Sequence, residues 1–436
     1  MKRALFGVVV ALLAVGCGDE GPVSIDVKVD GLPAVTNLVL LKITGTVHRT
    51  PAKKTTYIVT LAGATKPVAD TVDSAGHFAV TVPLTAETAN TFTITATDEG
   101  GAVSPAVTVG INQDDQPPTV TQVTPLTGTD AVARTQTVSF VLSEAPPGGV
   151  SFSLLRQGVP QNGVLTMASD SLHGTFTPVG QLAPNSIYVA SFTHLIDAAG
   201  NNGNTVRTCF VTVGASTVAP DGVDDLYQAG TPGPNISAAD LVEARWARDS
   251  SRLTGVFKFT SARSIQLSDP NNVDLVVDFD IDQNAATGFK SYRDTIVASI
   301  GPSAFSGIGA EYIAGLFALS GPADSAFVAP YAGVLKISTV GLFPFIQDVC
   351  GPFVGFNVPF INLGNDDGKM NYSVIALTED GSNAYADIMP AQGPLTFDAT
   401  VSVSSPSLAT VSALLSSHSG AVPRPLPRIW RLAHKR

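Results

Sequence analysis

Apolar and polar residues alternate with a period of two along most of this chain. Val23, Ile25, Val27 and Val29 are separated by Ser24, Asp26 and Lys28, which predicts a strand with one face buried. Similar runs follow at Leu38–Val47, Thr55–Leu61 and Phe78–Val82. In Thr91–Asp98 the residues Phe92, Ile94 and Ala96 share a face. Turn residues separate these short runs, and such spacing predicts an antiparallel sandwich. The same reading continues through Pro118–Pro125, Thr137–Glu144, Gly174–Pro178 and Leu182–Val189. Further on, Val242, Ala244 and Trp246 share one predicted face, and Leu253–Phe259 is the next strand. Val273, Leu275, Val277, Phe279 and Ile281 form another apolar face, with Asp274, Asp278, Asp280 and Asp282 opposite. Gly309–Ile313, Val334–Ser338 and Asp387–Pro390 read as continuations. Long helical patterns are absent.

The one long unbroken apolar run, Ala4–Val15, follows Met1-Lys2-Arg3 and ends in Gly16-Cys17. A basic start, an apolar stretch and small residues before a cut make a secretory signal peptide. The run is shorter than the ~20 apolar residues that span a bilayer. Ala14-Val15-Gly16-Cys17 resembles the lipobox of bacterial lipoproteins, with Ala14 where Leu is usual. The resemblance implies cleavage before Cys17 and lipid attachment to it, hence a membrane-tied protein outside the cytoplasm. Gly18 follows instead of Asp, which in such lipoproteins favours the outer membrane. The alternative is a plain signal peptide with Cys17 incidental.

Composition sharpens the picture. Forty Gly and thirty Pro suit short strands and tight turns. Two of the 25 basic residues precede Gly18 and five follow Pro423. Between them 36 acidic residues face 18 basic ones, a net of −18. That field repels phosphate backbones and argues against nucleic-acid partners. If Cys17 carries lipid, Cys209 and Cys350 remain, in different predicted domains. Two buried free thiols are the simpler expectation and an inter-domain disulfide the alternative. No spacing fits zinc.

The expected organisation is all-β: a signal peptide followed by two Ig-like β-sandwiches and a larger β-sandwich. The boundaries are 1–17 for the lipoprotein signal, 18–113 and 117–214 for the Ig-like domains, 219–403 for the third, and 404–436 for a disordered basic tail. Asn90–Gly101 is similar to the last hairpin of bacterial Ig-like modules. Asn112–Pro118 resembles the Pro-Pro junctions of tandem Ig-like arrays. The second segment resembles the Ig-like domain of S-layer proteins through Ser143-Glu144, Phe176-Thr-Pro178, Leu182…Tyr188-Val189 and Asp197-Ala-Ala-Gly200-Asn201, with Leu142 where Phe is usual. The resemblance implies a spacer or adhesion role, with Gly200 in a positive-φ turn and Asp197 bonding the amides ahead of it. The third segment, through Asp280-Ile-Asp282-Gln-Asn284, Thr287-Gly288 and Gly309-Ala-Glu311-Tyr312, is similar to sandwiches of the DOMON and family-9 carbohydrate-binding type.

Carboxylates at i, i+2 and i+4 entering a turn can converge on a hard cation. Asp280, Asp282 and Asn284 are the candidates, with Asp278 or Glu311 completing the set, and calcium is the expected ion. This is no EF-hand: Ala285 and Ser291 stand where Gly and Glu are needed. The competing reading is a solvated strand-end turn. Trp246 reads as core. Tyr227, Tyr292, Tyr312, Tyr331 and Tyr372 are possible sugar platforms. Haem is discounted, because the third segment has no His and only Met370 and Met389 as soft ligands. Catalytic signatures are missing: the six His are scattered, and no nucleophile elbow, His-Glu-x-x-His or phosphate loop occurs. The expected function is a non-catalytic, lipid-anchored envelope or surface protein. In it, Ig-like spacers present a sandwich that binds polysaccharide or another surface protein. The alternative is a structural envelope protein with no small-molecule ligand.

Overall fold

A computed structural model describes residues 23–398, except 53–55, 64–67, 223–225, 230–237, 265, 267, 301–305, 317–325, 334–335, 339, 342, 345–347, 365, 380–383 and 391–392. The expected signal peptide 1–17, with Cys17, and the segment 404–436 lie outside the described residues. The chain is nearly all β. It divides into two compact units: the chain up to Pro118 with Pro146–Gly148 and Ile196–Asn202, and the remainder.

In the first unit, strands Ser24–Val29, Leu40–Thr50 and His77–Pro83 form one antiparallel sheet. Tyr57–Ala62, Val68–Thr71, Thr88–Asp98, Val107–Gln113 and Val35–Thr36 form the other. The inward positions are the alternating apolar ones: Ile25, Ile43, Val59, Val80, Phe92 and Ile94 are buried in one cluster. The hairpin end near Asp98 is fixed by its side chain, whose Oδ1 accepts the Ala102 N–H at 2.9 Å. Asp98 also pairs with Arg49 at 3.4 Å.

The second unit begins with a sandwich built from two sheets. One holds Thr129–Val132, Val206–Thr212, Ile187–Thr193, Ser151–Arg156 and Val159–Pro160; the other holds Gly163–Met167, His173–Pro178, Val138–Leu142 and Val120–Thr124. Phe140, Phe152, Phe176 and Phe192 meet between them with ring centroids 4.9–5.9 Å apart. Leu142, the departure from the resembled pattern, is buried in this core. In the turn Asp197–Asn201, Asp197 Oδ1 accepts the Asn201 N–H at 2.8 Å, and Gly200 has φ 91°. Only glycine takes that conformation without strain.

The third sandwich packs a five-stranded sheet (Thr217–Pro220, Leu241–Arg248, Arg252–Phe259, Phe353–Pro359, Asp348–Cys350) against a nine-stranded one. Asp274–Asp280 is central in the larger sheet, paired antiparallel to Lys369–Glu379 and Tyr312–Leu316. Val273, Leu275, Val277 and Phe279 enter the inter-sheet core, as their alternation predicts.

Three expectations are corrected here. First, the aspartate-bearing face of Asp274–Asp280, the polar face in the alternation, is buried. It is covered by a second apolar layer that includes Val276, Tyr292, Ile313, Tyr331 and Ile375. Tyr292 opens the helix Tyr292–Ile300, which no long apolar period announces. Ser291 caps it, its Oγ accepting the Asp294 N–H at 3.0 Å. Ser291-x-x-Asp294 is the sequence signal that marks this start. Second, Val242 does not share the buried face with Ala244 and Trp246. The register shifts between Leu241 and Glu243, so Leu241 turns inward and Val242 is only half-buried. Third, Cys209 and Cys350 are not free thiols but a disulfide, with Cα atoms 5.6 Å apart and a sequence separation of 141.

Candidate functional site

The strand Asp274–Asp280 runs out of the sheet into a turn that ends at Gly288, and Glu311 stands beside it. Glu311 is placed by backbone pairing: its N–H donates to Phe279 O at 2.9 Å, and its carbonyl accepts the Tyr331 N–H at 2.8 Å. Carboxylate oxygens of Asp280, Asp282 and Glu311 all lie within 4.8 Å of one another. Asp280 is fully buried, Glu311 half-buried and Asp282 exposed, so the cluster opens to solvent on one side.

Local donors partly satisfy these carboxylates. The Asn284 N–H reaches Asp280 Oδ1 and Asp282 Oδ1, each at 3.0 Å. Asn371 Nδ2 donates to Asp280 Oδ2 at 3.3 Å, and the Thr287 hydroxyl donates to both oxygens of Asp282 at 2.8–2.9 Å. The Ile281 N–H donates to Glu311 Oε2 at 3.0 Å. Glu311 Oε1 is buried with no hydrogen-bond partner. A Cβ added at Gly288, where φ is +65°, would meet Glu311 Oε1 and Gly309 O at 2.6 Å and Ala310 O at 2.7 Å. The turn thus brings carbonyl oxygens close to the carboxylates, and only glycine fits there.

Electrostatics set the cost of this crowding. Burial raises the Asp280 carboxyl above its ordinary value and Asp282 adds repulsion, while Asn371 and the Asn284 N–H pull the other way. Glu311 is raised by burial, and Asp282 and Asp280 push it further. An oxygen-lined cluster of raised carboxylates is the donor set that a hard divalent cation prefers.

The four residues proposed from the sequence therefore separate. Asp280 and Asp282 come together as expected, and Glu311 joins them. Asp278 is aimed elsewhere. It is fully buried and accepts the N–H groups of Tyr292 and Arg293, each at 3.0 Å, and the hydroxyls of Tyr331 and Ser373. Its work is to hold the start of the helix Tyr292–Ile300. Asn284 contributes its backbone to the turn, and its Oδ1 accepts the Ala286 N–H at 3.1 Å. The alternation that places Asp278 and Asp280 on one face cannot show that the helix start claims the first of them.

Calcium is expected to raise the melting temperature of the full chain. At a Kd near ~10⁻⁴ M, ten-fold excess calcium contributes ~1.4 kcal/mol by mass action. The gain is expected to shrink as pH falls, because protons compete with the cation for Asp280 and Glu311, whose carboxyls are raised chiefly by burial. Asp280→Asn with Asp282→Asn is expected to abolish it. Identical thermal melts in calcium and in chelator would leave the cluster a polar turn.

The aromatic candidates fare differently. Trp246 is 1% exposed and lies in the core, as expected. Tyr292, Tyr331 and Tyr372 are buried, Tyr312 is half-buried, and the Tyr227 side chain lies outside the described residues. Met370 and Met389 are fully buried in the core between the sheets. Among the described residues no helix is long and apolar enough to cross a membrane.

No curated protein matches this chain. Among solved structures, the I-band fragment I67-I69 of titin aligns at 10% identity and a TM-score of 0.31, over 86% of this chain and 96% of that one. A structure of a 1.5-MDa bacterial ice-binding adhesin aligns at 13% identity and a TM-score of 0.27, over 87% and 98%. The BSP domain of a biofilm-associated protein aligns at 15% identity and a TM-score of 0.17, over 45% and 30%. Residues 114–212 match the family model described as a bacterial Ig-like domain.

Proposed function

We propose that this chain is a non-catalytic, lipid-anchored protein of the cell envelope, attached through Cys17 and carried by the outer membrane. In this reading the Ig-like sandwiches hold the third sandwich away from the bilayer, where it meets polysaccharide or another surface protein with calcium bound at Asp280, Asp282 and Glu311. The observation that carries it is a bacterial Ig-like domain whose Cys209 is in a disulfide. Structural disulfides persist outside the reducing cytosol, which agrees with an exported chain. The acidic balance and the lack of a catalytic signature support a binding or structural role.

The test is fractionation of the full chain. Cys17→Ser is expected to move the protein from the membrane fraction to the soluble one, because several acyl chains anchor stably and none would remain. Mass spectrometry of the mature N-terminus is expected to show a lipidated Cys17. An unmodified Cys17, or cleavage elsewhere, sinks the anchor.

One observation favours a second reading, a structural envelope protein with no small-molecule ligand. Three of the five candidate stacking tyrosines are buried, and sugar stacking needs exposed rings. A glycan array probed with the whole protein separates the two. Binding that weakens on Tyr312→Ala supports the glycan-binding reading, and silence across the array supports the structural one.

A further inference from the structure

The disulfide links two sandwiches that the sequence presents as separate modules. Cys209 lies on Val206–Thr212 of the Ig-like sandwich and Cys350 on Asp348–Cys350 of the third. It sits in an apolar seam. Ile187 and Val211 from one side meet Val256 and Phe353 from the other, each at most 3% exposed. Packing is close enough that a Cβ at Gly355 would stand 3.1 Å from Ile187 Cδ1.

Polar contacts flank the seam. Asp130 of the Ig-like sandwich receives both terminal nitrogens of Arg245, at 2.6 and 2.8 Å. This two-pronged geometry fixes orientation as well as distance. Asn185 Nδ2 donates to Arg245 O at 3.0 Å, and Arg156 Nη2 donates to Thr254 Oγ1 at 3.3 Å. The peptide connection between the two sandwiches is only Val213–Ser216, between the strands ending at Thr212 and starting at Thr217.

A disulfide needs its two Cα atoms within about 7 Å, and in the folded chain the docking of the two sandwiches holds these at 5.6 Å. Once formed, it closes a ring of chain spanning 141 residues. Tension entering from the N-terminal side crosses from Cys209 to Cys350 through the sulfurs. The covalent path around the ring is the longer of the two, so it stays slack when the unfolded chain is pulled straight.

We propose that the Cys209–Cys350 disulfide is a reduction-sensitive lock that makes the Ig-like sandwich and the third sandwich one mechanical body and keeps the chain between them out of the path of tension. Opening it is thiol–disulfide exchange. Two electrons from an external dithiol reduce the bond to two thiols, and the dithiol is oxidised to its own disulfide.

The experiment is single-molecule stretching of the full chain held at its two ends, with and without dithiothreitol. Fully unfolded, the oxidised chain is expected to be shorter than the reduced one by about 500 Å, the length of the closed ring at ~3.5 Å per residue. The variant Cys209→Ser with Cys350→Ser is expected to show the longer length without reductant. Because that variant could fail to fold, wild-type protein reduced after folding is the decisive sample. Equal lengths with and without reductant overturn the proposal. So does a peptide map in which Cys17 is joined to Cys209 or Cys350. Heating gives the second readout. In the oxidised full chain the two linked sandwiches are expected to melt together in one transition, apart from any transition of the first unit, and in the reduced protein with Arg245→Ala in two. Separate transitions for the two linked sandwiches in the oxidised wild type overturn the single body.

Discussion

Asp278→Ala is expected to lower the stability of the second unit by about 3–5 kcal/mol, the range for breaking a buried charged contact. Asp278 is fully buried and takes four donors: two N–H groups at the start of the helix Tyr292–Ile300 and the hydroxyls of Tyr331 and Ser373. Alanine leaves these donors in a dry layer, where an unpaired polar group costs ~1–3 kcal/mol. A unit of this size shifts ~2–4 °C per kcal/mol, so a loss of roughly 6–20 °C is expected in a thermal melt. Burial holds the Asp278 carboxyl up at about 6, and its four hydrogen bonds act against that rise. The unfolded value is ~3.9. The folded chain therefore binds more protons than the unfolded chain between about pH 4 and pH 6. The contribution of this group to stability falls as pH rises through that window and is flat above it. Asp278→Asn is expected to remove that slope. Urea melts of the two proteins that differ by the same amount at pH 4 and pH 6 would refute it.

Trp246→Ala is expected to cost a further large amount, about 3–5 kcal/mol, with no effect that depends on ligand. The indole is 1% exposed and has five aromatic neighbours: Phe257, Phe279, Phe356, Tyr372 and Phe397, with centroids 5.0–5.9 Å away. Most of these contacts are edge-on or tilted, the arrangement that ring quadrupoles favour. The neighbours come from both sheets, so removing the indole opens a cavity between layers instead of at a surface. Trp246→Phe is expected to cost less, since a ring still fills part of the space. Denaturant unfolding of both variants checks the order. If Trp246→Ala weakened glycan capture and left stability unchanged, the residue would be a binding platform and its assignment to the core would fail.

The carboxylate cluster and the helix anchor show how far the sequence reaches. The spacing of Asp280 and Asp282 marked a convergence at the end of a strand, and Glu311 was within view as one of two completing groups. Choosing between Glu311 and Asp278 needed the fold. Strand pairing sets Glu311 beside Phe279, whereas the capped helix start takes Asp278. The cap itself was written as Ser291-x-x-Asp294, but without a long apolar period it marks only one short helix. The Val242 position was lost to a register shift, which a strict two-residue period cannot express.

By itself the sequence determined the all-β class and the inward faces of most strands, and its resemblance to the Ig-like pattern implied the turn chemistry of Asp197. A side chain's face depends on nearest-neighbour alternation, which is local information. It also marked the third segment's core, because Val273 to Phe279 must bury one face wherever the strand lies. Tertiary structure decided the rest. It covered the second face of Asp274–Asp280, buried Tyr292, Tyr331 and Tyr372, and joined Cys209 to Cys350. Those outcomes depend on which distant segments meet, and separation along a chain carries no measure of distance in space.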